Sequence, residues 1–139
     1  MSYFEDADEV YEVLGGLFDE LLADPEVAHR LCRANTIVQY RYTDPDSAMT
    51  VRLLADQPPR CDCGETSLEP EVVMTMGAET AHRFWLGEVN VTGALARHEL
   101  TASGPVAKIL KLVPTVKPVF PYYRALVAQR GRRTAALAG

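Results

Sequence analysis

Three cysteines, three histidines and a scatter of tyrosines and carboxylates are the groups of this 139-residue chain able to act on a substrate or hold a metal. Cys61-Asp62-Cys63-Gly64 sets two thiols one residue apart, with Cys32 as a third donor elsewhere. Such a pair can chelate a soft metal or oxidise. Zinc sites, however, use paired C-x-x-C units or a histidine at fixed spacing, and neither occurs. In a reducing compartment the pair reads as two strand-edge thiols. His29, His82 and His98 are each isolated. His82 follows Ala81 on a helix, about 100° from its apolar face, where a surface histidine sits. Glu79, His82 and Tyr123 would form an acid–base set if the fold joined them, which nothing in the sequence requires. No nucleophile elbow, phosphate-binding glycine loop, His-Glu-x-x-His or dinucleotide fingerprint occurs. Asn90-Val91-Thr92 is a glycosylation acceptor only in a secreted chain. The expectation is a protein with no catalytic residues, no metal ligands and no cofactor.

What the chain offers instead is apolar surface on short elements. Val72, Met74 and Met76 alternate with Val73 and Thr75, the pattern of a strand over Glu71 to Met76. Ala81, Phe84 and Trp85 then switch to helical spacing, with Gly77 before them and Gly87 as a left-handed stop. After a loop, His98 to Gly104 reads as a short strand. Pro105 opens a helix whose face is Val106, Ile109, Leu110 and Val113, ended by Pro114. Upstream, Val10, Val13, Leu14, Leu17, Phe18, Leu21 and Leu22 mark a long amphipathic helix. Gly15 and Gly16 interrupt it at a cost of roughly 1 kcal/mol each, so either something packs against the backbone there or the helix is locally weak. Asp24-Pro25-Glu26 starts a second helix that stops near Asn35. Thr36 to Thr43 and Ala48 to Leu54 alternate as a hairpin about Asp44-Pro45-Asp46-Ser47. Residues 55–70, with Pro58-Pro59, Gly64 and Pro70, read as mostly loop. Pro121 opens a last helix through Tyr122, Tyr123, Leu126 and Val127, and 131–139 reads as a flexible basic tail on a single domain, 1–130.

The stretch VVMTMGAETAHRFWLGEVN followed by GALARHELTASGPVAKILKLV resembles the sterol carrier protein 2 (sterol-binding) domain family, in its stand-alone bacterial form. The resemblance lies in Thr75-Met76 ending a strand, the step Gly87 to Asn90, Gly104 ending the next strand, and Ala107-Lys108 to Leu112 in the helix after it. It spans roughly Val10 to Val113 and is a pattern of spacing. Arg97, His98, Glu99 and Leu100 stand where many members carry a more basic step. The resemblance implies an α+β fold, a twisted, mostly antiparallel five-stranded sheet covered by helices and enclosing a hydrophobic tunnel, with a short strand within Arg60 to Glu65. It implies non-catalytic binding or transfer of an apolar ligand: a sterol, fatty acyl chain, acyl-CoA or terpenoid. The lining would come from Val38, Tyr40, Met74, Met76, Phe84, Trp85, Leu95, Val106, Ile109, Leu110, Val113, Phe120 and Tyr123. Tyr40, Tyr42, Gln39, Tyr122 and Tyr123 are candidates for its polar end. The helix after Pro114 would act as a lid, so that deleting it alters ligand release much more than the fold.

Two other readings stay open. A small enzyme of specialised metabolism would use the same tunnel and depend on His82, Glu79 or Tyr123. A protein-interaction module would use the acidic first helix and basic tail over a solid core. The formal charge of −5 argues against nucleic acid. After Glu99 every charged residue is basic, so the two ends either attract each other or form a contact surface for a membrane or acidic partner. No run approaches the roughly 20 apolar residues of a bilayer span, the start MSYFEDADEV is acidic and the end lacks a Ser-Lys-Leu address. A cytoplasmic protein is expected.

Overall fold

The computed structural model describes the backbone of residues 3–138 and the side chains of 3–132. Asp6 caps α1 (Ala7–Val10) by accepting the Glu9 N–H at 2.8 Å. The chain then passes through a π-helical turn, Tyr11–Gly15, into α2 (Gly16–Ala23). The two glycines have different causes. A Cβ on Gly15 would collide with the Sγ of Cys63, whereas one on Gly16 would meet nothing. Close packing of the helix backbone on a strand is therefore what Gly15 permits. Asp24 accepts the Glu26 and Val27 N–H groups and Pro25 takes the first position of α3 (Pro25–Leu31).

Five strands follow: β1 (Thr36–Thr43), β2 (Ser47–Leu53), β3 (Arg60–Cys63), β4 (Val72–Gly77) and β5 (Leu100–Ser103), in the order β3-β2-β1-β4-β5. All neighbours are antiparallel except the central pair β1 and β4, which is parallel. Pleat alternation gives the sheet two unlike faces. On the inner one, Val38 pairs with Val51 and Val72, Tyr40 with Met49 and Met74, and Tyr42 with Met76. On the outer one, Gln39 donates to Thr50 Oγ1 at 3.0 Å and accepts from Arg41 Nε at 2.7 Å.

Gly77 leads directly from β4 into α4 (Ala78–Trp85), which Gly87 terminates at φ +83°. The segment read as a loop before β5 contains a further helix, α5 (Val91–Ala96), capped by Asn90, whose side chain accepts the Gly93 N–H. After β5 come α6 (Val106–Thr115) and α7 (Val119–Ala138). Pro114 does not end α6 but sits inside its last turn, and α7 begins before Pro121. The expected tail, 131–139, lies mostly outside the described side chains, and its described backbone continues α7 to Ala138.

Candidate functional site

The inner sheet face and the helices over it enclose one apolar cluster. Val38, Tyr40, Met74, Met76, Phe84, Trp85 and Tyr123 are all buried in it, with Ile109 and Phe120 packed at its margin. Trp85 is its hub. Its ring centroid lies 5.2 Å from those of Phe18 and Tyr40, 4.9 Å from Phe84 and 6.3 Å from Phe120. Four of the expected lining residues stand apart: Val113 is half-buried, while Leu95, Val106 and Leu110 are exposed, the last two at 69% and 70%. Conversely, Phe4, Leu14, Phe18 and Met49 belong to the cluster and were not expected in the lining. Phe18 and Leu14 had a signal in the period of the first helix; Phe4, alone in an acidic stretch, had none.

The polar candidates separate cleanly. Gln39 is engaged on the outer face by Thr50 and Arg41. Tyr122 is exposed. The Tyr42 hydroxyl accepts from Trp85 Nε1 at 3.3 Å, and Tyr123 Oη is 2.8 Å from His82 Nδ1. Tyr40 alone is left: its hydroxyl is fully buried and has no hydrogen-bond partner among the described residues. Burial pushes the pKa of the phenols Tyr40, Tyr42 and Tyr123 well up, so all three stay protonated at neutral pH.

His82 is not the free surface histidine that its position beside Ala81 suggests. Tyr3 stacks on it with centroids 3.9 Å apart and planes 9° from parallel, and Tyr123 reaches it from α7. The N-terminal segment is itself tied down. The Tyr3 N–H donates to Glu79 Oε2 at 2.8 Å, Phe4 is buried, and the Arg130 guanidinium lies 5.9 Å from the Tyr3 ring centroid. Burial lowers the His82 pKa against the opposing pull of Glu79 and Glu88. Glu79, His82 and Tyr123 are thus brought to one place, where the N-terminal segment, α4 and α7 meet.

No protein-family model matches the sequence, and no curated protein matches it. Solved structures do match. The sterol carrier protein 2 domain of Helicoverpa armigera superposes with a TM-score of 0.65 at 13% identity, over 87% of this chain and 95% of that one. The fold is that of the sterol carrier protein 2 domain. Sterol carrier protein 2 from Yarrowia lipolytica, in its apo form, gives 0.59 at 14% identity over 76% of this chain and 84% of its own. A ubiquinone synthesis protein, UbiJ-SCP2, gives 0.54 at 12% identity over 76% and 85%.

Within this sterol carrier protein 2 fold the described cavities are surface grooves. Two of about 230 and 280 Å³ flank the seam between α2 and α7, floored by Leu17 and Leu126 and rimmed by Glu20, with Arg130 in the second. Acidic α2 and basic α7 are therefore neighbours, although among the described residues no ion pair joins them. Cys61 and Cys63 face α2 from the inner side of β3. The contact between the two thiols pushes the Cys61 pKa up, burial adding to it, and draws the Cys63 pKa down against the opposing effect of burial. Cys32 lies on another element, and no cluster of three or more metal-capable side chains exists among the described residues. Nor is any described helix long and apolar enough to cross a membrane.

Proposed function

We propose that the protein binds and carries an apolar ligand, of the sterol, fatty acyl, acyl-CoA or terpenoid kind, and performs no chemistry on it. The observation that carries this reading is the unbroken apolar layer between the inner sheet face and α4 and α7, in the fold shared with proteins named sterol carrier protein 2. The ligand takes the space now filled around Trp85, lined by Val38, Tyr40, Met74, Met76, Phe84, Phe120 and Tyr123, with Ile109 at the margin. Entry opens the layer into a tunnel; Val113, Leu95, Val106 and Leu110 line its mouth. Burying some 16 methylenes at about 0.8 kcal/mol each gives roughly 13 kcal/mol gross, enough to offset association and repacking and leave micromolar binding or tighter. The mobile wall is α7. Among the described residues its fully buried side chains, Val119 and Tyr123, sit near its start, and the grooves beside α2 along the rest of it support this reading.

Residues 1–130 form the binding unit and 131–139 a basic extension, which with the other basic groups after Glu99 meets membranes or acidic partners transiently. The setting is the cytoplasm, where Cys61 and Cys63 stay reduced. Native mass spectrometry of the protein from its own host, followed by denaturation, tests the reading. A near-stoichiometric apolar molecule that survives incubation unchanged is expected; a protein that neither carries nor takes up any such molecule would overturn it.

The second reading, an enzyme in the same interior, is favoured by one observation, the His82 and Tyr123 contact with Glu79 close by. A neutral imidazole against a protonated phenol is a usable acid–base pair. Turnover of a captured ligand that vanishes in His82→Gln would establish it.

A further inference from the structure

We infer that the ligand bears a neutral hydrogen-bond acceptor and that the Tyr40 hydroxyl is the group that holds it, which rests on the interior being a ligand site. Tyr40 is 1% exposed on the central strand, flanked in register by Met49 and Met74, with Trp85 above it. Its Oη has no partner among the described residues, and a phenylalanine would fill the same volume without the cost of burying an unsatisfied hydroxyl. The other phenols of the layer, Tyr42 and Tyr123, are already engaged, by Trp85 and His82. A ligand oxygen would give this hydroxyl the partner it lacks among the described residues.

The surroundings set the class of that oxygen. The phenol stays protonated and offers one donor. Beside the tyrosines and Trp85, the buried polar side chains among the described residues are Thr36, Gln39 and Thr50, so no buried Lys or Arg lies in the layer. A carboxylate or phosphate there would lose its hydration for a single hydrogen bond, which is strongly unfavourable. A ketone, ester, ether or alcohol oxygen loses little and satisfies the phenol. Within the proposed carrier function, the held part of the cargo is an uncharged oxygenated lipid, and any charged head stays outside.

The test uses the full chain, stripped of bound lipid, and three probes of one chain length delivered from cyclodextrin: hexadecane, the matching methyl ketone and the matching carboxylate. Affinities are measured for the wild type and for Tyr40→Phe. The ketone should bind the wild type about ten-fold more tightly than the alkane. In Tyr40→Phe that advantage should vanish with alkane affinity unchanged, and the empty variant should be at least as stable as the wild type. A ketone preference that is missing, or that survives in Tyr40→Phe, overturns the anchor while leaving the carrier reading intact. A carboxylate that matches the ketone overturns the neutral class. A destabilised Tyr40→Phe shows the hydroxyl to be structural. If no probe binds either protein, the carrier reading itself falls.

Discussion

Helices α4 and α6 carry apolar faces that look alike in the sequence and meet opposite fates in the fold. α4 buries Ala78, Ala81, Phe84 and Trp85 almost completely. α6 fully buries only Leu112 and leaves Val106 and Leu110 in solvent. The cause is that apolar residues nearly ring α6: its inward line runs through Ile109, Leu112 and, just past its end, Val116, so the helix is turned from the face that Val106 and Leu110 define. Lys108 helps to fix that rotation, donating from Nζ to the carbonyl of Asn35 with Glu71 nearby. A helical period locates a stripe; only the partner surface decides which stripe is used.

Truncation should give the largest effect and redraw the boundary between anchor and wall. Ending the chain at Pro114 removes Val116, Val119 and Tyr123, all buried, together with Phe120, which packs on Phe84 at 5.8 Å. At roughly 1.5–3 kcal/mol per buried apolar side chain, the loss is several kcal/mol and threatens the fold itself. A lid starting at Pro114, as the sequence reading expects, would carry these buried residues with it, because the prolines at 114 and 118 interrupt the backbone but not the burial beyond them; the moving wall proposed above is the part of α7 past Tyr123. Ending at Arg130 should leave the denaturation midpoint nearly unchanged and weaken only transfer of ligand to anionic vesicles. Equal loss of stability in both truncations would make all of α7 structural.

Single side chains sharpen the same contrast. Trp85→Ala should cost about 3–5 kcal/mol in denaturant unfolding, because it empties the hub of the cluster. Leu110→Ala should stay within about 0.5 kcal/mol. If Leu110→Ala approached the Trp85 value, the open stripe of α6 would have to be covered in solution, by a second copy or another partner.

Period-2 and helical patterns made four of the five strands and most helices legible, β3 coming only from the family resemblance, and the glycine at 87 marked a real left-handed position, at φ +83°. That Val38, Tyr40, Met74 and Met76 share one buried sheet face was legible for the same reason, since strand alternation fixes it. Two things were not. α5 is too short, and too poor in large apolar residues, to have a period, and its Asn90 cap reads equally well as a turn. The meeting of Tyr3, Glu79, His82 and Tyr123 depends on contacts between residues 41, 76 and more positions apart, which no local spacing encodes.

The neighbouring glycines of the first helical stretch repeat the contrast between covered and open positions at single-residue scale. Gly15→Ala should destabilise by about 1–3 kcal/mol, since its methyl meets Cys63 Sγ. Gly16→Ala faces open space and should stabilise by up to about 1 kcal/mol. Adding Cys63→Ala to Gly15→Ala should recover part of the loss. No recovery in that double variant would move the cause from the thiol to the π-helical turn.

The smallest effect is expected at the edge of α4, where His82 is only partly covered. Its pKa is lowered from 6.5 by burial, so the unfolded chain takes up a proton before the folded one does. Stability should then be level above about pH 7 and fall as the pH drops through 6.5, by less than about 1 kcal/mol given its partial exposure. The carboxylates of Asp62 and Glu99, lowered from 3.8 and 4.5 by Arg60 and Arg97, contribute only at more acidic pH, so the two ranges separate. His82→Gln should flatten the upper step while leaving the lower one in place. An unchanged upper step in that variant would mean that Tyr3 and Tyr123 do not cover His82 in solution, and that the N-terminal segment is not held against α4 and α7.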